Sequence, residues 1–206
     1  MTLPEINTSA MIQFLTELLN TPSPTGFTEK AIDLCEAVLA DLPDVELRRT
    51  KKGALVATLP GQDPSLPWRA LTAHVDTLGA MVKEVKSNGR LKLTELGGFA
   101  WNTVEGEGVT VFACNGDTVR GAILMQKASS HVHGADVSKT ERNDDNMEVR
   151  LDARTENADE TEDLGISVGD FVAFDPRVEL TNGFVRSRSR NECSGSTHCA
   201  SCILPP

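Results

Sequence analysis

Arg69-Ala-Leu-Thr-Ala-His-Val-Asp-Thr-Leu-Gly-Ala-Met-Val82 is a short apolar run that delivers a histidine and, two residues later, an aspartate. Ala70, Leu71 and Ala73 predict a buried strand over 70–74. Residues i and i+2 of a strand point to the same side, so His74 and Asp76 are placed to act together. That pairing suits a metal: a ligating imidazole must be neutral and correctly turned, and a nearby carboxylate achieves both by accepting the other ring N–H. The alternative is a hydrogen-bonded histidine at a strand end, because a metal centre needs three or four ligands and His-x-Asp supplies one with its partner.

On the amino-terminal side, Met11, Ile12, Leu15, Leu18 and Leu19 recur at helical spacing between Asn7 and Asn20, with Thr8 or Ser9 as the expected N-cap. Pro22 and Pro24 end that helix. A second helix starts from Thr28, with Ala31, Leu34, Cys35, Val38 and Leu39 on its inner face, so Cys35 is expected to be a small core residue. From Val45 the pattern changes to short runs rich in valine, leucine and threonine: 45–49, 54–59, 70–74 and 80–85 are strand candidates. Two helices followed by strands fit an α/β layer with its site at the carboxyl ends of strands.

On the other side no helix is expected between about Leu91 and Asn182. Runs at 91–96, 108–113, 118–124, 147–151 and 171–174 read as strands, with Ser87-Asn-Gly-Arg90 and Asn115-Gly-Asp117 as hairpin turns, the first of type I′. A small all-β module follows. Within it, Ser129-Ser-His-Val-His133 offers His131 and His133 on one strand face, without a cysteine or carboxylate at ligand spacing, and the acidic runs 140–145 and 155–163 read as solvated loops.

Thr21-Pro-Ser-Pro-Thr-Gly-Phe27, Lys52-Gly-Ala-Leu-Val-Ala-Thr-Leu-Pro-Gly61, Ala73-His-Val-Asp-Thr-Leu-Gly-Ala-Met-Val82 and Gly97-Gly-Phe99 follow one another in an order that resembles the tetrahedral aminopeptidases, the glutamyl-aminopeptidase or "cellulase M"-like dinuclear metallopeptidases, over about residues 8 to 188. The resemblance implies an α/β peptidase domain, helices plus a mixed sheet, interrupted by an inserted β-barrel. Residues 1–87 would be the first part of the peptidase domain, 88–182 the barrel, and 183–206 a return strand with a cysteine-rich tail. It also implies metal-assisted release of N-terminal residues from short peptides, using two divalent ions, zinc or cobalt. His74 would be a metal ligand and Asp76 its catalytic, orienting partner. Dimers would assemble through the barrel into a dodecamer.

After Arg188 the resemblance is expected to break: the sequence continues Ser189-Arg-Asn-Glu-Cys-Ser-Gly-Ser-Thr-His-Cys-Ala-Ser-Cys-Ile-Leu-Pro-Pro206, without the aspartate and helix that the family carries next. A truncated gene or a reading-frame change is the expected reason. Cys193, His198, Cys199 and Cys202 crowd into ten residues, whereas structural zinc sites space two ligand pairs by a longer loop. Three functions compete: an aminopeptidase whose remaining ligands come from elsewhere, a non-catalytic chain acting through its β-module as an oligomerisation surface, and a polysaccharide hydrolase. The last needs paired carboxylates and aromatic platforms, and aromatic content is 4% with no tyrosine.

Composition bounds the rest. At 206 residues and 39% apolar content the chain can bury one sizeable core or two small ones. A net charge of −10 argues against a nucleic-acid groove. No basic-then-apolar start or membrane span is present in the sequence, which leads to the expectation of a cytoplasmic protein, and five cysteines without an export signal do not make a disulfide framework.

Overall fold

A computed structural model describes residues 6–63 and 65–188, and these fall into two units, one running to Asp76 and resuming at Pro176, the other from Thr77 to Asp175. In the first unit, α1 (Thr8–Asn20) is capped one residue earlier than expected. The Asn7 side chain accepts from the Ala10 amide at 3.0 Å, which leaves Thr8 and Ser9 inside the first turn. Helix α2 (Glu29–Ala40) buries Ala31 and Cys35 and half-buries Leu34 and Leu39 of its apolar stripe, whereas Val38, expected on the same face, is exposed. Strands β1 (Glu46–Arg49) and β2 (Leu55–Thr58) form an antiparallel pair, and Arg49 bridges to Asp33 and Glu36, tying β1 to α2.

The second unit is built by alternation. In β3 (Gly79–Val85), β4 (Leu91–Leu96), β5 (Gly108–Phe112), β6 (Thr118–Met125), β7 (Met147–Leu151) and β8 (Phe171–Phe174) buried apolar residues recur two apart along much of the strand, as in Leu91 and Leu93, Val109 and Val111, or Met147, Val149 and Leu151, the period of strands with one inward face. The order β3-β4-β7-β6-β5-β8 closes on itself, all neighbours antiparallel, so no edge is left to pair with another chain. A bulge between Val82 and Glu84 inserts one residue into β3. It lets Val82 and Val85 both turn inward while Lys83 and Glu84 stay outside. Side chains of Val82, Leu93, Val111, Ile123 and Val149 fill the interior. Phe99 plugs one region of it, edge-on to both Trp101 and Phe174 at 5.3 Å.

Glycines carry the turns that the sequence marks. Gly97 has φ 85°, and a Cβ there would stand 2.4 Å from Leu78 Cδ2, which accounts for the glycine of Gly97-Gly-Phe99. The turn at Asn88-Gly89 differs from the expected type I′: only Gly89 has positive φ, and Gly89 N–H donates to the Lys86 carbonyl at 2.9 Å, a type I turn closed by a glycine. The two-residue type I′ form occurs instead at Asn182-Gly183, with φ 52° and 79°, where it joins β9 (Glu179–Thr181) to β10 (Phe184–Arg186) in the first unit.

Four further expectations are corrected. Residues 70–74 form no strand, and Leu71 is 76% exposed. The reason is that no described strand lies beside them to receive their backbone hydrogen bonds, and a strand without a neighbour has no stability of its own. A mixed sheet is absent among the described residues for the same reason: outside the barrel there are only two antiparallel pairs. The barrel starts ahead of residue 88, because β3 pairs with both β4 and β8 and is the strand that closes it. Short helices also interrupt the β-module: α3 (Ser130–His133), α4 (Asp136–Lys139) and α5 (Ala158–Glu162), the last capped by Asn157.

Candidate metal-ligand dyad

His74 and Asp76 are brought together in the first unit without the strand expected to do it. His74 Nδ1 lies 2.9 Å from Asp76 Oδ1 and 3.3 Å from the Asp76 carbonyl oxygen. A carboxylate and a carbonyl can only accept, so the contact requires Nδ1 to carry the proton, and the neutral imidazole then has its lone pair on Nε2. The side chains are 55% and 37% exposed, so water reaches the pair, and both of these ring contacts are made at Nδ1.

A third residue completes the arrangement. Thr25 Oγ1 donates to Asp76 Oδ2 at 2.7 Å. Thr25 sits in the turn Pro24-Thr25-Gly26-Phe27, closed by the Phe27 N–H to the Pro24 carbonyl at 2.7 Å, with Gly26 at φ 92°. Positive φ at the third position marks a type II turn, and the glycine there is the residue that conformation favours. Thr25 is not singled out by the sequence, since its bond spans 51 positions; the Pro-Thr-Gly turn itself is the local signal. Two residues earlier, the buried Ser23 hydroxyl has no partner among the described residues.

Elsewhere the candidate ligands do not gather. Among the described residues no three His, Cys, Asp or Glu side chains come together at metal-binding distance. His131 and His133 lie in the helical turn α3 instead of on a strand face, and residues two apart on a helix point to different sides. The acidic run 140–145 is drawn onto the barrel's cations: Asp144 meets Lys83 at 3.0 Å and Asp145 meets Lys92 at 2.5 Å, which holds the Asp145 carboxyl below the usual carboxylate range through the Lys92 hydrogen bond. The run 155–163, expected to be a loop, instead holds α5, with Asp159, Glu160 and Glu162 inside the helix and Glu160 accepting from the Glu156 amide. Cys114 Sγ contacts Asp170 Oδ1 at 3.1 Å, and that carboxylate pushes the thiol up. Cys193, His198, Cys199 and Cys202 lie outside the described residues. No described helix is long and apolar enough to cross a membrane.

The comparisons with known proteins agree on a class. The chain is 51% identical over 178 residues to the putative aminopeptidase YhfE of Bacillus subtilis, covering 86% of this chain and 51% of that protein. Its fold matches the TET aminopeptidase of a marine-sediment Thaumarchaeota archaeon with a TM-score of 0.73 at 23% identity, over 86% of this chain and 48% of that one. It also matches the Pyrococcus horikoshii TET1 peptidase, described as assembling into a tetrahedron or a large octahedral shell, with a TM-score of 0.61 at 21% identity, over 84% of this chain and 49% of that one. The solved structures show that the fold is shared, and the sequence match sets the chain beside an aminopeptidase-like relative. More narrowly, it belongs to the M42 glutamyl aminopeptidase family, whose model matches residues 53–195 and so continues past Arg188, where the likeness was expected to stop. The chain spans about half the length of the curated relatives it matches.

Proposed function

We propose that this chain is the amino-terminal portion of a metal-dependent aminopeptidase that releases N-terminal residues from short peptides, with His74 as a metal ligand and Asp76 as the residue that orients it. The observation that carries the reading is the 2.9 Å contact between His74 Nδ1 and Asp76 Oδ1, which leaves Nε2 with the free lone pair a ligand needs. Membership of the M42 family supports it. The dyad fits one ligand position and not a whole centre, because no third donor approaches it among the described residues. No hydrolytic step is therefore built on an ion held by these residues alone. A divalent ion in a fuller donor set supplies a Lewis acid and an activated water, and zinc or cobalt suits an imidazole ligand. A cytoplasmic location and a homo-oligomeric state, dimers building to a dodecamer, belong to the same reading; the structural neighbours described as a dodecamer and as a shell-forming assembly support the oligomeric part of it.

One observation favours a second reading, in which the chain is non-catalytic and acts through its β-domain as an oligomerisation module: the barrel is closed, while among the described residues no three candidate metal donors gather. Elemental analysis of the purified chain, with hydrolysis of a panel of aminoacyl chromogenic substrates before and after addition of zinc or cobalt, separates the two. Stoichiometric metal and turnover that is lost in His74→Ala are expected from the first reading. No bound metal and no turnover reject it and leave the second.

A further inference from the structure

We infer that Thr25 is a positioning residue for His74, acting through Asp76, and that this three-residue relay is what selects the imidazole's Nδ1–H tautomer; the inference rests on the reading of His74 as a ligand. The two oxygens of Asp76 are both engaged, Oδ1 by His74 Nδ1 at 2.9 Å and Oδ2 by the Thr25 hydroxyl at 2.7 Å. A carboxylate held at one oxygen can still rotate about its terminal torsion, which is broad for aspartate. Held at both, its plane is fixed, and the acceptor offered to Nδ1 has one direction.

The exposure of the dyad gives this fixing a purpose. With His74 and Asp76 55% and 37% exposed, water competes for both ring nitrogens, and the carboxylate must be held in place for its bond to prevail. Thr25 is suited to hold it. It lies inside a turn closed by the Phe27 N–H to the Pro24 carbonyl at 2.7 Å, which holds the threonine backbone in place, and the preceding Pro22 stiffens the approach from α1. The hydroxyl donates to Asp76 Oδ2, and the ionised carboxylate, an acceptor only, turns its other oxygen to the ring. Serine keeps this function; valine keeps the shape of threonine and loses it.

The test uses the full chain labelled with ¹⁵N-histidine at about pH 8, above the ordinary histidine range, with His74→Gln identifying the His74 signals. The expected wild-type pattern is a protonated Nδ1 and an unprotonated Nε2. Thr25→Val is expected to lower the Nδ1–H population at least twofold in relative terms, toward a mixture of tautomers, while Thr25→Ser keeps the wild-type pattern. If Thr25→Val loses the helical circular dichroism of the first unit, Thr25→Ala replaces it in the same measurement. An unchanged pattern in the valine or alanine variant overturns the role of Thr25 and leaves the ligand reading of His74 intact. A wild-type histidine protonated on Nε2 overturns both, since its lone pair would then face Asp76.

Discussion

Lys86 Nζ stands 2.5 Å from Oε2 of Glu148, a side chain only 2% exposed, and Arg90 reaches the other oxygen of the same carboxylate. The two cations flank the β3–β4 turn, and Glu148 is on β7, so the pair fastens the hairpin to the next strand of the barrel. Either cation alone can satisfy most of the carboxylate; with neither, a buried charge is left without a partner. Lys86→Met or Arg90→Met is expected to cost about 1 kcal/mol each, and the double variant about 3–5 kcal/mol, more than the sum of the two. The measurement is urea unfolding followed by the fluorescence of buried Trp101 in a Trp68→Phe background, Trp68 being the exposed tryptophan. A double variant no worse than the sum of two mild singles would mean that the carboxylate is satisfied by water.

Gly121 is a second point where the barrel tolerates nothing larger. A Cβ there would stand 2.7 Å from the Arg150 carbonyl oxygen and 2.9 Å from Val149 Cγ1, and the carbonyl belongs to the paired strand β7 and cannot turn away. Gly121→Ala is expected to destabilise the barrel by about 1–3 kcal/mol, the usual cost of overpacking. Gly98→Ala meets nothing within 4 Å and serves as the control in the same unfolding series. Equal stability of the two variants would show that β6 and β7 can part without loss.

What was legible in the sequence follows from what each feature depends on. Strands β4, β7 and β8 were read to their termini because one face of each is core and the alternation is written locally. The strand expected over 70–74 was not, because strand formation depends on a neighbour and the local sequence records only apolarity. His74 and Asp76 could be paired by spacing, since two residues apart is a local relation. Thr25 could not, because its contact with Asp76 depends on how the chain returns after 51 positions. His131 and His133 were misplaced onto a strand since Ser-His-Val-His is too short for periodicity to separate a helical turn from an extended run.

Burial raises the Cys35 thiol above its ordinary value. The sign of the pH effect follows: the native thiol keeps its proton where the unfolded one has lost it. The stabilisation is therefore fully present below the unfolded pKa, about 8.5, and is lost as pH rises through the folded value. Between about pH 8 and pH 10 the wild-type chain is expected to lose stability more steeply than Cys35→Ala, read from the helical circular dichroism of α1 and α2. In parallel, alkylation by iodoacetamide followed by peptide mass spectrometry is expected to modify Cys35 more slowly in the native than in the urea-unfolded chain. Parallel pH slopes for the two proteins would remove Cys35 from the account of alkaline stability.

The boundary of the barrel decides which fragment of this protein folds alone. A piece beginning at residue 88 lacks β3, and with it the pairings to β4 and β8 that close the ring and the inward side chains of Ala80 and Val82. Two strand edges would stand open, and open edges pair with other chains. A piece from Thr77 to Asp175 keeps all six strands and the Arg120–Asp175 pair at 2.6 Å. The shorter fragment, 88–183, is expected to aggregate or unfold without cooperativity, and 77–175 to melt in one transition as a soluble species. The full chain adds a unit that exposes Leu66, Trp68, Leu71 and Phe184, apolar side chains concentrated outside the barrel, and it is expected to self-associate more than the 77–175 fragment does. Sedimentation velocity on all three proteins, with urea melts followed through Trp101, checks the order. A cooperative 88–183 fragment would mean that β3 is dispensable to the barrel, and a monomeric full chain would mean that the apolar surface of the first unit is too scattered to drive association.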